Sequence, residues 1–367
     1  MKNSQKGFVV PLLIVIVVLV IGGGVYYFSR KVSTYPINKI QSSVSDQTGI
    51  TNSSLPTDND LKVSHTRIPE SNNSASTWNS ISATTIVKSD RDFLSKYLGN
   101  YSSKNLPPLG QSISMTTKYQ NLLNIFDSVA QKEYQCSIAL GEICPLGTIR
   151  DVSELAALRA TVLLQQQKLS DAKSTAENVV LVGKQITANA DDIIYLLVGW
   201  ASQKLGYGIL NTIHQKQGGT YLTSDAKEKL VSILRQEHKK VLQFMYTGYA
   251  NMVNYISSPN NKPADMVLDP DGEEQIGTYR KEIAKSPNAL NPTKTKKFFY
   301  DSFKIAIANV TLPCGTTSAS STINVGFNIE NTQDENYIGK KIYTTLYPAS
   351  DSLSQKRCEV ENLIQSL

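Results

Sequence analysis

Residues 7–28, GFVVPLLIVIVVLVIGGGVYYF, contain no charged side chain. At 1.5 Å of rise per residue a helix of this length spans roughly 33 Å, the thickness of a bilayer's hydrocarbon core. No other feature of the chain restricts its organisation so strongly. A secretory signal has a shorter apolar region and ends at a small-residue cleavage site, and Gly22-Gly23-Gly24 is the only segment resembling one. Apolar and aromatic residues resume after it at Val25-Tyr26-Tyr27-Phe28 and close on Arg30-Lys31. That order suits an interfacial aromatic belt with snorkelling cations. The expectation is a retained single-pass anchor, with residues 1–6 cytoplasmic and the lipid bilayer as the partner of residues 7–28.

Charge alone does not orient the anchor, because Lys2 and Lys6 on one side nearly balance Arg30 and Lys31 on the other. The cysteines do. Cys136, Cys144, Cys314 and Cys358 all follow the anchor, and an even number in a translocated domain reads most simply as two disulfides. Of the three possible connectivities, the local pair Cys136 with Cys144, together with Cys314 and Cys358, is preferred. A metal site is the competing reading, yet the C-x-x-C spacing and accompanying histidines are missing. The net charge of +6 over 367 residues includes no long cationic block, so nucleic acid is not an expected partner.

Residues 29–77 are rich in Ser, Thr, Asn and Asp and offer little apolar surface, which reads as a disordered stalk. Asn52, Asn72 and Asn100 stand in N-x-S sequons within or near it. Residues 78–367 then form the extracytoplasmic domain, with a helical core over 112–257 and a C-terminal part over 290–367. Leu155, Leu158 and Val162 mark one helix; Ala172, Ala176, Val179, Gly183 and Ile186 mark the next, and together they predict an antiparallel hairpin.

A third helix is expected to open at Asn189, with Asp191 and Asp192 at its positive end, and to be buried through Ile193–Trp200. Gly206 and Gly208 are expected to loosen its later part. The fourth begins near Ser224 and carries Leu230, Leu234, Val241, Met245, Met252 and Ile256 on one stripe. Residues 257–277 read as a polar connection. Asn291 as cap and Pro292 at the first helical position start another helix, with Phe299, Phe303, Ala306 and Val310 on its face. Ile323, Val325, Phe327 and Ile329 alternate as in a strand, giving a minor β element near residues 321–347. The last residues, from Gln355, look like a closing helix. The fold class is therefore mainly α.

The hairpin, the buried third helix, Asn291-Pro292 with Lys294-Thr295, and Asn336-Tyr337-Ile338-Gly339 together resemble a loosely defined class of uncharacterised, membrane-anchored, exported helical proteins of bacteria. The resemblance covers roughly residues 110–367 and implies a helical array outside the cytoplasm, without implying an activity. The hairpin also looks like one tetratricopeptide unit, but no repeat of that period follows. At the amino terminus, Lys6-Gly7-Phe8 resembles the start of a type IV prepilin, whose peptidase cuts after the glycine. Such pilins carry glutamate at the fifth residue from that Phe, where this chain has Leu12.

Residues in patterns that carry chemistry are few. The three histidines are His65, His214 and His238, none in H-E-x-x-H or at ligand spacing from a cysteine. His214 falls near a helix end. His238 falls on the apolar stripe between Leu234 and Val241, where a buried imidazole needs a hydrogen-bonding partner. His238 and Asp192 are the polar residues to follow, although Asp191-Asp192 reads most simply as a charged helix start. Residues 269–274, DPDGEE, lack the spacing of a calcium loop. Trp200, Tyr195, Tyr207, Tyr246, Tyr249 and Tyr255 either pack or line a groove, and packing is the simpler reading. No catalytic, cofactor-binding or metal residue is assigned. The expected function is non-catalytic binding or scaffolding of an envelope protein or glycan. A pilin-like filament subunit and an envelope hydrolase built from scattered carboxylates are the alternatives.

Overall fold

The computed structural model describes residues 68–81, 86–99, 101–136, 144–190, 192–218, 221–258, 260, 270–314, 336, 338–339, 342 and 348–367. The expected anchor at 7–28 and most of the expected stalk lie outside these residues. Among the described residues the chain is helical: α1 (Ala75–Ser80), α2 (Lys88–Leu98), α3 (Leu109–Lys118), α4 (Gln120–Val129), α5 (Leu146–Gln165) and α6 (Leu169–Ala188) come first. They are followed by α7 (Ile193–Gln217), α8 (Ser224–Ser257), α9 (Pro270–Lys285), α10 (Pro292–Val310) and α11 (Pro348–Ser366).

Two hydrophobic cores share one long helix. The first gathers α1 to α7, the front half of α8 and α11, around Trp78, Phe126, Leu155, Leu158, Val179, Leu196, Trp200 and Leu353. The second joins the back half of α8 to α9 and α10 through Tyr246, Val253, Tyr279, Phe299 and Phe303, with Ile338 and Ile342. At about 1.5 Å per residue the 34 residues of α8 reach roughly 51 Å, long enough to serve both. Of its expected stripe, Leu234, Val241 and Ile256 are buried, while Leu230, Met245 and Met252 are partly buried against the two cores.

The hairpin of α5 and α6 is present, and α7 lies against both, most extensively against α6. The contact with α6 depends on missing side chains. A β-carbon on Gly183 would stand 2.5 Å from the Gly199 carbonyl oxygen, and one on Gly206 would stand 2.8 Å from that of Ala176. Gly206 therefore tightens α7 onto its neighbour instead of loosening it. Helix α7 is long and apolar enough to cross a membrane, yet 61% of its most apolar window is buried, packed between α5, α6 and α11.

Several boundaries differ from expectation for identifiable reasons. Residues 68–77, read with the stalk, belong to the folded unit: the Ser74 hydroxyl donates to the Glu133 carbonyl, the Asn73 side chain pairs with Gln135, and Trp78 anchors the segment in the core. One tryptophan supplies the apolar surface that the surrounding Ser and Asn lack. Helices likewise begin well before residue 112. Helix α7 is capped by Asp192, whose carboxylate accepts from Ile194 N–H at 2.8 Å, and not by Asn189. Asn189 closes α6 and donates its amide to the Tyr134 carbonyl.

The connection expected at 257–277 turns helical from Pro270, so Gly272, Glu273 and Glu274 sit in α9. Of the expected β element, residues 321–335 lie outside the described residues, while Ile338, Gly339 and Ile342 are helical. No strand occurs among the described residues; the nearest feature is an isolated bridge between Asn73 and Glu133. Asn291 does cap α10, accepting from Lys294 N–H at 3.0 Å, and Phe299, Phe303 and Val310 face the second core. The closing helix starts earlier than expected, at Pro348.

Candidate functional site

Where α6, α7, α8 and α11 meet, polar side chains are buried in the core. Glu237 and His238 enter from α8, Thr187 from α6, and Gln203 and Trp200 from α7. Gln203 Nε2 donates to the Thr187 hydroxyl at 3.3 Å, and that hydroxyl donates to Glu237 Oε1 at 2.7 Å. Glu237 Oε2 has no hydrogen-bond partner among the described residues. The Trp200 indole N–H is near enough to favour the carboxyl's anionic form without meeting hydrogen-bond geometry.

A carboxylate with one donor is poorly solvated, and burial pushes Glu237 up to about 7, against the smaller opposing pull of Thr187, Trp200, Lys184 and Lys240. His238 is fully buried, its ring edge-on to Trp200 at 5.5 Å between centroids, with neither nitrogen hydrogen-bonded among the described residues. Burial, aided by the nearby Arg357 guanidinium, depresses it to about 3, so the imidazole is neutral at physiological pH.

Beside this group lies an ion-pair network. Arg235 on α8 grips the Glu361 carboxylate with Nε at 3.2 Å and Nη2 at 2.9 Å. Arg357 Nε reaches the same carboxylate at 3.1 Å from one turn away on α11. The two arginines also donate to carbonyls at the end of α10, Arg357 to Val310 and Arg235 to Thr311. Three helices are thereby joined at a point where the first core gives way to the second. Cys314 and Cys358 stand 2.09 Å apart in sulfur position at the same junction, linking the segment after α10 to α11. Cys136 and Cys144, with sulfurs 2.00 Å apart, fasten the approach to α5, where the Tyr195 hydroxyl donates to the Cys136 carbonyl.

His238 and Asp192 are not brought together. Asp192 caps α7 and its charge acts on Tyr249, about three turns along α8 from His238. His214 lies in the last turn of α7. Of the aromatics, Trp200, Tyr195, Tyr207, Tyr246 and Tyr255 are buried in packing. A groove of about 440 Å³ opens elsewhere, between the end of α2, α7 and α11, lined by Leu98, Tyr101, Leu205, Glu359 and Leu363. Among the described residues no group of His, Cys, Asp and Glu is arranged to hold a metal ion.

In the sequence Glu237 and Arg235 stand out only as neighbours of His238, and Arg357 and Glu361 do not stand out, although the spacing of Glu237, Arg357 and Glu361 carries the signal. Glu237 falls three residues after Leu234 and four before Val241, and Arg357 and Glu361 flank the core-facing Val360. No family model, curated protein sequence or solved structure matches this chain.

Proposed function

We propose that the chain is a membrane-anchored protein whose helical domain lies outside the cytoplasm and acts by binding or scaffolding another envelope component, without catalysis. The observation that carries this reading is the pair of cysteine bridges, one local and one joining α11 to the segment after α10. Such bridges persist in oxidising compartments and are rare in the cytosol. The apolar run at 7–28 supplies the anchor by length and composition.

The polar junction supports a structural role for its residues. His238 is sealed from solvent, and Asp192 is occupied as a helix cap, so neither is placed to meet a substrate. Protease added to intact cells tests the topology. The expected result is digestion of the folded domain with a membrane-protected fragment containing residues 7–28. Digestion only after lysis contradicts the reading.

A further inference from the structure

Glu237 and His238 are neighbours on α8, and both are enclosed at the α6, α7 and α8 crossing. No ion pair joins them among the described residues, and consecutive residues on a helix project about 100° apart. Glu237 faces Thr187 and Lys184 of α6, Trp200 and Tyr207 of α7, and Lys240 of its own helix. His238 faces Trp200 of α7 and Arg357 of α11. The surroundings can adapt little, because Gly183 and Gly199 bring α6 and α7 into backbone contact beside them. Each side chain has a buried polar atom without a partner among the described residues, which penalises its charged form.

We propose that Glu237 and His238 form a proton-matched neutral pair: on folding at mildly acidic pH the carboxyl takes up one proton as the imidazolium releases one, so α8 docks without a change in net charge. The two linkages have opposite signs. Glu237, raised from 4.5 to about 7, contributes stability that is fully present below 4.5 and is lost as pH rises toward 7. His238, lowered from 6.5 to about 3, contributes stability present above 6.5 and lost as pH falls toward 3. Between 4.5 and 6.5 the slopes cancel, and the pair's summed contribution stays level while each member alone would tilt it. This suits a domain exposed to an environment whose pH the cell does not control.

The test compares denaturation midpoints of the full chain with those of Glu237→Gln and His238→Gln, at pH 5 and pH 8. Glu154 also titrates upward, to about 7, but is common to all three proteins and cancels in the differences. Relative to the parent, the folding equilibrium of Glu237→Gln should gain on the order of 50-fold from pH 5 to pH 8. That of His238→Gln should gain on the order of 30-fold in the other direction. Difference profiles that are flat, or that slope the opposite way as for a buried ion pair, overturn the proposal. If a variant does not fold, histidine-selective NMR of the parent decides, since only three histidines contribute. A His238 imidazole that stays neutral from pH 8 to pH 5 supports the pair, and one that titrates in that range refutes it.

Discussion

The side-chain oxygen of Asn336 accepts the Thr295 hydroxyl at 2.7 Å, a hydrogen bond between residues 41 apart in sequence. The same oxygen takes the Asn291 backbone N–H at 2.7 Å, and the Asn336 N–H donates to the Asn288 carbonyl. One residue thus fixes the entry to α10, at a left-handed φ of 68° that asparagine tolerates better than most side chains. Asn336→Ala removes both acceptor bonds and retains a β-carbon in that conformation. Denaturant titration should show a loss of about 2–4 kcal/mol. Asn336→Gly, which relieves the backbone but still lacks the oxygen, should lose about 1 kcal/mol less.

Gly339 packs against the same pair. A β-carbon there would stand 2.3 Å from Thr295 Oγ1, so Gly339→Ala should cost about 1–3 kcal/mol. In a Thr295→Ala background the nearest obstacle is gone, and the same substitution should cost less. A double-mutant cycle showing strict additivity would contradict the contact.

At the crossing of α6 and α7 the obstacle is backbone, which cannot rotate aside. Gly183→Ala places a methyl 2.5 Å from the Gly199 carbonyl oxygen and 2.8 Å from Gln203 Cγ. A loss of at least about 3 kcal/mol is expected, larger than for Gly248→Ala on α8, where no atom lies within 4 Å. Gly248→Ala should instead stabilise by about 0.5–1 kcal/mol, since alanine is the better helix former.

Glu361 holds two arginines at the junction of the cores. Its side chain is 5% exposed and that of Arg357 is 3%, so Glu361→Ala leaves a guanidinium buried without its counter-charge. Thermal melts should register a loss of about 3–5 kcal/mol. Lys297→Ala, which removes an ion pair whose side chains are 68% and 52% exposed, should change stability by less than about 0.5 kcal/mol.

The mainly helical class and the order of the principal helices were readable from periodicity, because each apolar stripe is local and repeats over several turns. The start of α10 was readable for the same reason, since Asn291 and Pro292 act on adjacent residues. Longer-range features were less so. Asn336-Tyr337-Ile338-Gly339 and Asn291-Pro292 were both noticed as motifs, but nothing in one sequence says that Asn336 reaches across to Asn291. Gly183 and Gly206 each look ordinary alone; their role exists only once α6 and α7 are in contact. The sequence favours Asn189 as the cap of α7 and gives Asp192 only a charge at the helix start; that Asn189 instead closes α6 and donates to the Tyr134 carbonyl is a contact with a distant part of the chain. Trp78 drew residues 68–77 into the fold against their composition, a tertiary effect that outweighs local polarity.

Whether the helical domain matures in an oxidising space is decided by mapping cysteine linkages in protein alkylated on intact cells before lysis. The expected result is two cross-linked peptides under non-reducing conditions, Cys136 with Cys144 and Cys314 with Cys358, and no alkylated cysteine. Four alkylated cysteines, or a linkage between the two pairs, would contradict it.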